Sequence, residues 1–320
     1  MNLKQLHMKN KINIAMIGGR GFVGQEIISI LNDHPIFMLS KVFSKTAAGK
    51  VVEGYKKSSN LKYCLLDISN LQLEDIDIAI MALANDESES YINIIKKDYP
   101  NIIFIDLSSD HRLDKTWDYR VPELATKKAT KFISNPGCYA SAIQFSLAPI
   151  KNLISGRVSS IGISGYSGAG ASPNDKNNPV NLKNNIIPYS LTNHLHEQEV
   201  SKQCYEEISF SPHVGNFFRG ILITSHIQLK TSQTNQEILG TFIDFYQNSK
   251  LIEVLDDIPM INKVANTHKV LIGGISIDNS GVNLTVCCAL DNLLKGAATQ
   301  VIQNLNSACS LDELIGINYE

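Results

Sequence analysis

At 320 residues the chain has room for two domains of ordinary size, and with 43% hydrophobic and 19% charged residues it can bury a full core. A net charge of −2 leaves no electrostatic footprint for nucleic acid or an anionic membrane, so the expected ligand is a small molecule. No apolar run approaches the roughly 20 residues of a bilayer span, and the six cysteines form neither a C-x-x-C pair nor a small-domain disulfide spacing, which points to a reducing compartment, the cytoplasm.

Met1 to Asn10 is polar and slightly basic, with neither a signal-peptide core nor an Arg/Ser-rich amphipathic pattern, which weakens an organellar origin without excluding it. Ile12 to Ile17 is a continuous apolar strand, followed by Gly18-Gly19-Arg20-Gly21-Phe22-Val23-Gly24 and an amphipathic helix over 25–32. Strand, glycine turn and helix together fit a dinucleotide fingerprint: small residues let the backbone approach a pyrophosphate at the helix start. A tight turn with no ligand is the alternative. A second strand, Met38 to Phe43, completes a β-α-β unit and ends in Ser44-Lys45, where an NAD-preferring domain carries an acid. A hydroxyl and a cation there suit the 2′-phosphate of NADP, although a lysine after a strand can equally be a solvated charge. Strands at 76–82 and 102–106 flank a helix over 87–97, so the sheet is expected to be mostly parallel; 67–77 reads as an acidic, solvated connection.

Lys131 to Ser134 reads as a short strand, Pro136-Gly137 as a turn, and Ala140 to Pro149 as a buried helix, which puts Cys138 at a helix start. Orphan N–H groups and the helix dipole there favour a thiolate, the form that acts as a nucleophile. The competing reading is a small buried hydrophobe beside a turn. Beyond Pro149 strand signals dominate, at 158–164, 209–210, 221–229, 271–277 and 283–289, with a Gly/Ser/Asn-rich stretch over 165–185 that looks like an active-site loop. Helices are expected over 236–248 and 293–308, the last packing back on the first domain.

His194-Leu195-His196-Glu197-Gln198-Glu199 gathers two imidazoles and two carboxylates. The segment admits a metal site, an acid/base partner for Cys138, or a solvated helix start; on a helix the two rings would point to different faces and no third ligand cluster is evident, which argues against metal. Arg112, Arg219 and Lys295 are cations that could meet an anionic substrate or simply pair at the surface. Trp117 and Tyr119 read as packing.

Taken together, 18–24, Ser44-Lys45, 106–112, 122–124, 134–140, 164–170, 188–199, 212–220 and 291–298 resemble the N-acetyl-γ-glutamyl-phosphate reductases of arginine biosynthesis, sisters of aspartate-semialdehyde dehydrogenase. Ser172 to Pro179 resembles the branch that includes certain bacterial enzymes and the reductase portion of the fungal mitochondrial bifunctional protein. The resemblance implies an NADP-binding Rossmann domain (1–137 and 292–320) and an α+β catalytic and oligomerisation domain (138–291) with a mixed or antiparallel sheet. It implies that Cys138 forms a thioester from an acyl phosphate, that NADPH reduces it, and that His194 is the acid/base group. Gly18, Gly19, Arg20, Gly21, Phe22, Val23, Ser44, Lys45, Ser164, Gly165 and Asn292 would serve the cofactor, and Asn135, Arg112, His196, Glu199 and Arg219 the substrate, in a homodimer or homotetramer with no metal. Departures from the family pattern are Ala171 and Lys45 where Arg is common, Ala84 where Pro is usual, and Arg120 where Gly often stands. The same chemistry on aspartyl, N-acetyl-aminoadipyl or N-succinyl-glutamyl phosphate is the alternative within the family, and a non-catalytic NADP sensor the alternative outside it.

Overall fold

The computed structural model describes residues 10–319, so the polar stretch at the N-terminus, all but its last residue, lies outside the described residues. The described residues divide into two compact units, one of those up to 136 with 297–318, the other of 137–296 with 319.

In the first unit, β1 (Ile12–Ile17), α1 (Phe22–Asp33), β2 (Phe37–Ser44), β3 (Tyr63–Leu65), β4 (Ile78–Met81), α2 (Ser88–Asp98), β5 (Ile103–Asp106), β6 (Asp118–Tyr119) and β7 (Phe132–Ser134) follow in order. The strands form one sheet in the order β3-β2-β1-β4-β5-β7-β6, and every pairing in it is parallel. Central strands β4 and β5 are buried along their whole length, which is why they read as apolar runs up to Asp106 at the end of β5. The order reverses between β1 and β4, the place where doubly wound sheets open a crevice at the carboxyl ends of their strands.

Residues 67–77 are not the solvated connection their acidity suggests. Leu71, Leu73 and Ile76 are buried in the sheet's apolar cluster, and Asp77 accepts the Asn13 N–H at 3.0 Å; three apolar residues among acids are enough to fasten the segment down. The helix Thr299–Ala308 packs in the first unit on α1 and the 122–124 turn. Arg120 ties it there, with Nη2 donating to Ser307 Oγ at 3.0 Å and to Glu313 Oε1 at 3.2 Å. Regular α-helix begins only at Thr299, because Leu294–Ala298 winds as a wider π turn.

The second unit opens with α3 (Cys138–Leu147) and holds a mixed sheet of β8 (Val158–Gly165), β9 (Ile186–Pro188), β10 (Ile208–Gly215), β11 (Ile221–Gln228), β12 (Ile252–Val254), β13 (Val270–Ile277) and β14 (Asn283–Leu290). The order is β12-β13-β14-β11-β8-β10-β9, with antiparallel pairing from β13 to β8 and parallel pairing of β8 with β10 and of β12 with β13. Along β11 Ile221, Ile223 and Ile227 face inward and alternate with half-buried or exposed neighbours, the pattern of a sheet covered on one face. Tyr139 to Leu147 are all buried, and α3 packs on β11 and β14. Gly162 keeps β8 clear of Tyr139, since a Cβ there would lie 2.6 Å from the ring. Among the described residues no helix is long and apolar enough to cross a membrane.

Candidate active site

The glycine turn and the cysteine turn lie in different units. In the first unit Gly18 adopts φ +92°, and a Cβ on it would lie 2.4 Å from the Ala82 carbonyl oxygen. A Cβ on Gly24 would sit 2.7 Å from the Gly19 carbonyl oxygen, so Gly24 lets α1 lie against the loop. Gly21 differs, because a Cβ there would meet nothing within 4 Å. It caps α1 in extended conformation with no side-chain cap bond. A cradle open on this side, at a helix N-terminus, fits a pyrophosphate.

At the end of β2 the Ser44 hydroxyl accepts the N–H groups of Thr46 and Ala47 at 3.3 and 3.2 Å and so holds the following loop. Arg20 donates to Thr46 Oγ1 at 2.6 Å, which brings a guanidinium to the same loop. Lys45 pairs with Glu87 at 2.7 Å, and that carboxylate holds the ammonium's pKa above its usual value. Asn135 is buried and donates its N–H to Asp106 at 2.8 Å. Arg112 donates to the Leu107 carbonyl at 2.7 Å. Next to it lies a pair sequence reading missed: His111 Nδ1 meets the buried Asp106 carboxylate at 2.7 Å and stacks on Trp117 at 4.0 Å.

In the second unit Cys138 is the first residue of α3 behind an extended Gly137 cap, and its thiol is half-buried. The Gly137 N–H donates to Glu199 Oε2 at 2.9 Å. Glu199 is buried, and its other oxygen lies 3.8 Å from His196 Nε2. One carboxylate thereby fastens the Cys138 turn to α4 (Leu195–Gln203). His194 caps that helix. Because it precedes the helix in extended conformation, its ring and the His196 ring meet edge to face at 4.8 Å instead of diverging as expected. Tyr139, Tyr189 and Phe210 surround the His194 ring at 6.4, 5.5 and 5.3 Å.

His194 Nδ1 accepts the His196 N–H at 3.1 Å, which assigns the proton of the neutral ring to Nε2. Burial pushes the imidazole pKa down to about 4, helped by Lys176 and opposed by Glu199. Nε2–H has no partner among the described residues, so the ring presents a single donor to whatever binds beside it. Burial raises the Tyr139 and Tyr189 phenols well above their usual values, and charge on Cys138 adds to both shifts, so they remain protonated beside the thiol.

Arg219 is held by Asp291, Nε to Oδ2 at 2.7 Å and Nη2 to Oδ1 at 3.1 Å, while Nη1 reaches Asn266 Oδ1 at 2.6 Å. The same buried carboxylate accepts the N–H groups of Asn266, Leu293 and Leu294. Asn292 accepts the Gly220 N–H at 2.7 Å and donates to Ser167 at 3.0 Å. Gly165 is required by the chain crossing it, since a Cβ would come 2.5 Å from the Phe218 carbonyl oxygen, and Ser164 donates to the Gly165 carbonyl at 3.0 Å. Lys295 is fully buried, with its ammonium 5.5 Å from the Phe145 ring centroid. Among the described residues no group of three His, Cys, Asp or Glu could hold a metal.

A family model described as the semialdehyde dehydrogenase NAD-binding domain matches residues 13–132, and one described as the semialdehyde dehydrogenase dimerisation domain matches 138–292. The N-acetyl-gamma-glutamyl-phosphate reductase of Xanthomonas campestris is 41% identical over 310 residues, covering 95% of this chain and 98% of that protein. The mitochondrial protein arg11 of Schizosaccharomyces pombe is 40% identical over 314 residues; the match takes in 96% of this chain but 35% of the fungal protein. Among solved structures, aspartate semialdehyde dehydrogenase II of Vibrio cholerae superposes with a TM-score of 0.76 at 17% identity, over 93% of this chain and 98% of that one. The Candida albicans enzyme solved with NADP gives 0.70 at 14% identity, over 94% and 99%.

Proposed function

The chain belongs to the N-acetyl-γ-glutamyl-phosphate reductase family of semialdehyde dehydrogenases, and on that premise we propose that it carries out the NADPH-dependent reductive dephosphorylation of N-acetyl-γ-glutamyl phosphate to N-acetylglutamate 5-semialdehyde, a step of arginine biosynthesis. The observation that carries the reading is a thiol at a helix start sharing one unit with an imidazole whose Nε2–H meets no acceptor among the described residues.

Cys138 Sγ attacks the acyl carbon, the C–S bond forms as the C–O bond to phosphate breaks, and phosphate leaves with the bonding pair. His194 Nε2–H donates to the acyl oxygen while it carries charge, a contribution of about 3–4 kcal/mol for one such donor in a dry site. NADPH, when bound, would supply the hydride for the thioester carbon. Collapse then returns the electron pair to sulfur, and the start of α3 receives the thiolate again. Glu199 keeps this turn in place through Gly137, and His196 packs the imidazole edge to face.

For the cofactor, Gly18, Gly19, Arg20, Gly21, Phe22 and Val23 would hold the pyrophosphate, and Ser44 and Lys45, joined by Arg20, the 2′-phosphate. Ser164, Gly165 and Asn292 act by fixing the backbone at 164–168 and 219–220. Arg112 and Asn135 are proposed on the substrate side; Arg219 acts there through Asn266 and its Asp291 pair. A homodimer or homotetramer assembled through the second unit, in the cytoplasm, completes the proposal.

The test is the reverse reaction: purified chain, semialdehyde and inorganic phosphate should reduce NADP faster than NAD. No phosphate-dependent absorbance change with either cofactor would overturn the assignment.

A further inference from the structure

Building on the activity proposed above, we infer that Lys176 binds an oxyanion of the substrate, phosphoryl or carboxylate, beside His194. Arg219, one of two cations the sequence singles out in this unit, is already matched by Asp291 on two nitrogens and by Asn266 on a third, which leaves little net charge for an incoming anion. Lys176 is half-buried, its ammonium sits over the Tyr189 ring 4.6 Å from the centroid, and it makes no ion pair among the described residues.

The surroundings connect that ammonium to the reacting groups. The Tyr189 ring lies 5.5 Å from the His194 ring, Lys176 is among the charges that depress His194, and Cys138 is among those that raise Tyr189. Ammonium, phenol, imidazole and thiol thus share one neighbourhood within one unit.

The loop that carries Lys176 is fastened. Asn174 Oδ1 accepts the Lys176 N–H at 2.9 Å, and Asn177 Oδ1 accepts the Asn174 N–H at 2.8 Å. The two amide groups donate to the carbonyls of Ala169, Gly170 and Ser172, at 3.1 Å from Asn174 to Ala169, and at 3.0 and 2.8 Å from Asn177 to Gly170 and Ser172. Ordering of this kind lowers the entropy lost when the side chain engages a ligand.

The substrate's chemistry supplies the partner. An acyl phosphate that also bears an α-carboxylate brings several negative charges toward a sulfur that must itself become negative, and an unmatched ammonium at the site offsets that repulsion. A cation–π contact alone contributes about 0.5–1 kcal/mol at an exposed site and leaves the charge uncompensated.

The experiment measures how well inorganic phosphate, and separately N-acetylglutamate, protects Cys138 from iodoacetamide in the wild type, Lys176→Met and Lys176→Arg. Loss of a charged hydrogen bond should raise the half-protecting concentration of one probe in Lys176→Met by about 10- to 100-fold. A shift confined to phosphate assigns the phosphoryl group, and one confined to N-acetylglutamate assigns the carboxylate. Lys176→Arg should recover most of the effect and NADP affinity should not move. Half-protecting concentrations unchanged for both probes would overturn the inference. These shifts in Lys176→Met together with a wild type that gives no phosphate-dependent NADP reduction would overturn the activity instead.

Discussion

Two helices in this chain start in the same way and end up with opposite contents. Both α1 and α3 follow a strand and a glycine cap in extended conformation, Gly21 at φ −68°, ψ 166° and Gly137 at φ −70°, ψ 148°, and neither has a side-chain cap. Around Gly21 the space is open and α1 is buried on one face only, which leaves room at the helix start for an anion from outside. Around Gly137 the space is filled: the cap N–H is bonded to Glu199, the rest of α3 is buried, and the first position belongs to the chain's own thiol. A helix start is a general place for negative charge, and what packs around it decides whether that charge is a diffusible phosphate or a sulfur.

The largest test of the contrast is on the filled side. Cys138→Ser should lower phosphate-dependent turnover by roughly three orders of magnitude or more, because a hydroxyl without the thiol's acidity cannot form the acyl intermediate readily. Its melting temperature and NADP affinity should stay near wild type. Retention of near-normal turnover would refute a thioester at this helix start.

The next effect concerns His194, and a second histidine provides its control. His34 is locked as the same tautomer, with Nδ1 accepting the N–H groups of Ile36 and Phe37, but its Nε2 is matched by Asn306 at 2.9 Å. Burial pushes both rings down to about 4. His194→Asn should cost about 100- to 1,000-fold in kcat, the usual loss for one oxyanion donor. Stability carries a second signature. The unfolded chain binds protons near pH 6.5 and the folded rings only near pH 4, so stability is full above 6.5 and falls as pH drops through that window. Denaturant melts at pH 7, 5.5 and 4.5 should show a shallower loss in His194→Asn than in wild type; identical slopes would mean His194 is not held neutral.

Much of this was legible in the chain because the relevant signals are local. Ile12 to Ile17 followed by glycines gives the first strand and turn, and Pro136-Gly137 before an apolar run places Cys138 at a helix start. The missed features depend on partners far along the chain. Asp291 neutralises Arg219 across 72 residues, and no local pattern marks that arginine as occupied. Glu199 reaches Gly137 across 62 residues, so a residue that the resemblance places at the substrate also holds the backbone of the Cys138 turn. Helical spacing predicts diverging rings for His194 and His196, but His194 precedes the helix, and an extended cap residue obeys a different direction rule. In the 67–77 connection acids dominate the composition, but three buried apolar residues decide its position. In the last helix a signal was present: Asp291 ahead of a Leu-Leu pair is the pattern of a capping acid.

On the open side, Gly21→Ala separates ligand space from folding space. A methyl there touches nothing in the free chain, so stability should change by no more than the few tenths of a kcal/mol to about 1 that separate glycine from alanine at a helix cap. Where a pyrophosphate must come close to the backbone the same methyl intrudes, and the KM for NADPH should rise about tenfold or more. Gly24→Ala is the converse, since its methyl would meet the Gly19 carbonyl oxygen at 2.7 Å, and it should depress melting before cofactor affinity can be read. Equal behaviour of the two variants would remove the basis for calling one glycine functional and the other structural.

The smallest expected effect lies at the edge of the open site. Lys45 and Glu87 are both substantially exposed, with side-chain accessibilities of 52% and 38%, so their ion pair contributes about 0–1 kcal/mol to stability. If Lys45 serves a 2′-phosphate, Glu87 competes with that phosphate for the same ammonium. Lys45→Ala should then leave melting unchanged within about 0.5 kcal/mol and reduce the preference for NADPH over NADH several-fold. Glu87→Gln should do the opposite, improving the KM for NADPH with no gain for NADH, because it removes the competitor and keeps the cation. Arg20, already bonded to Thr46 in the same loop, supplies the remaining positive charge and limits how far either substitution can move the ratio. A preference that is indifferent to both changes would assign 2′-phosphate selection to Arg20 and Ser44 alone.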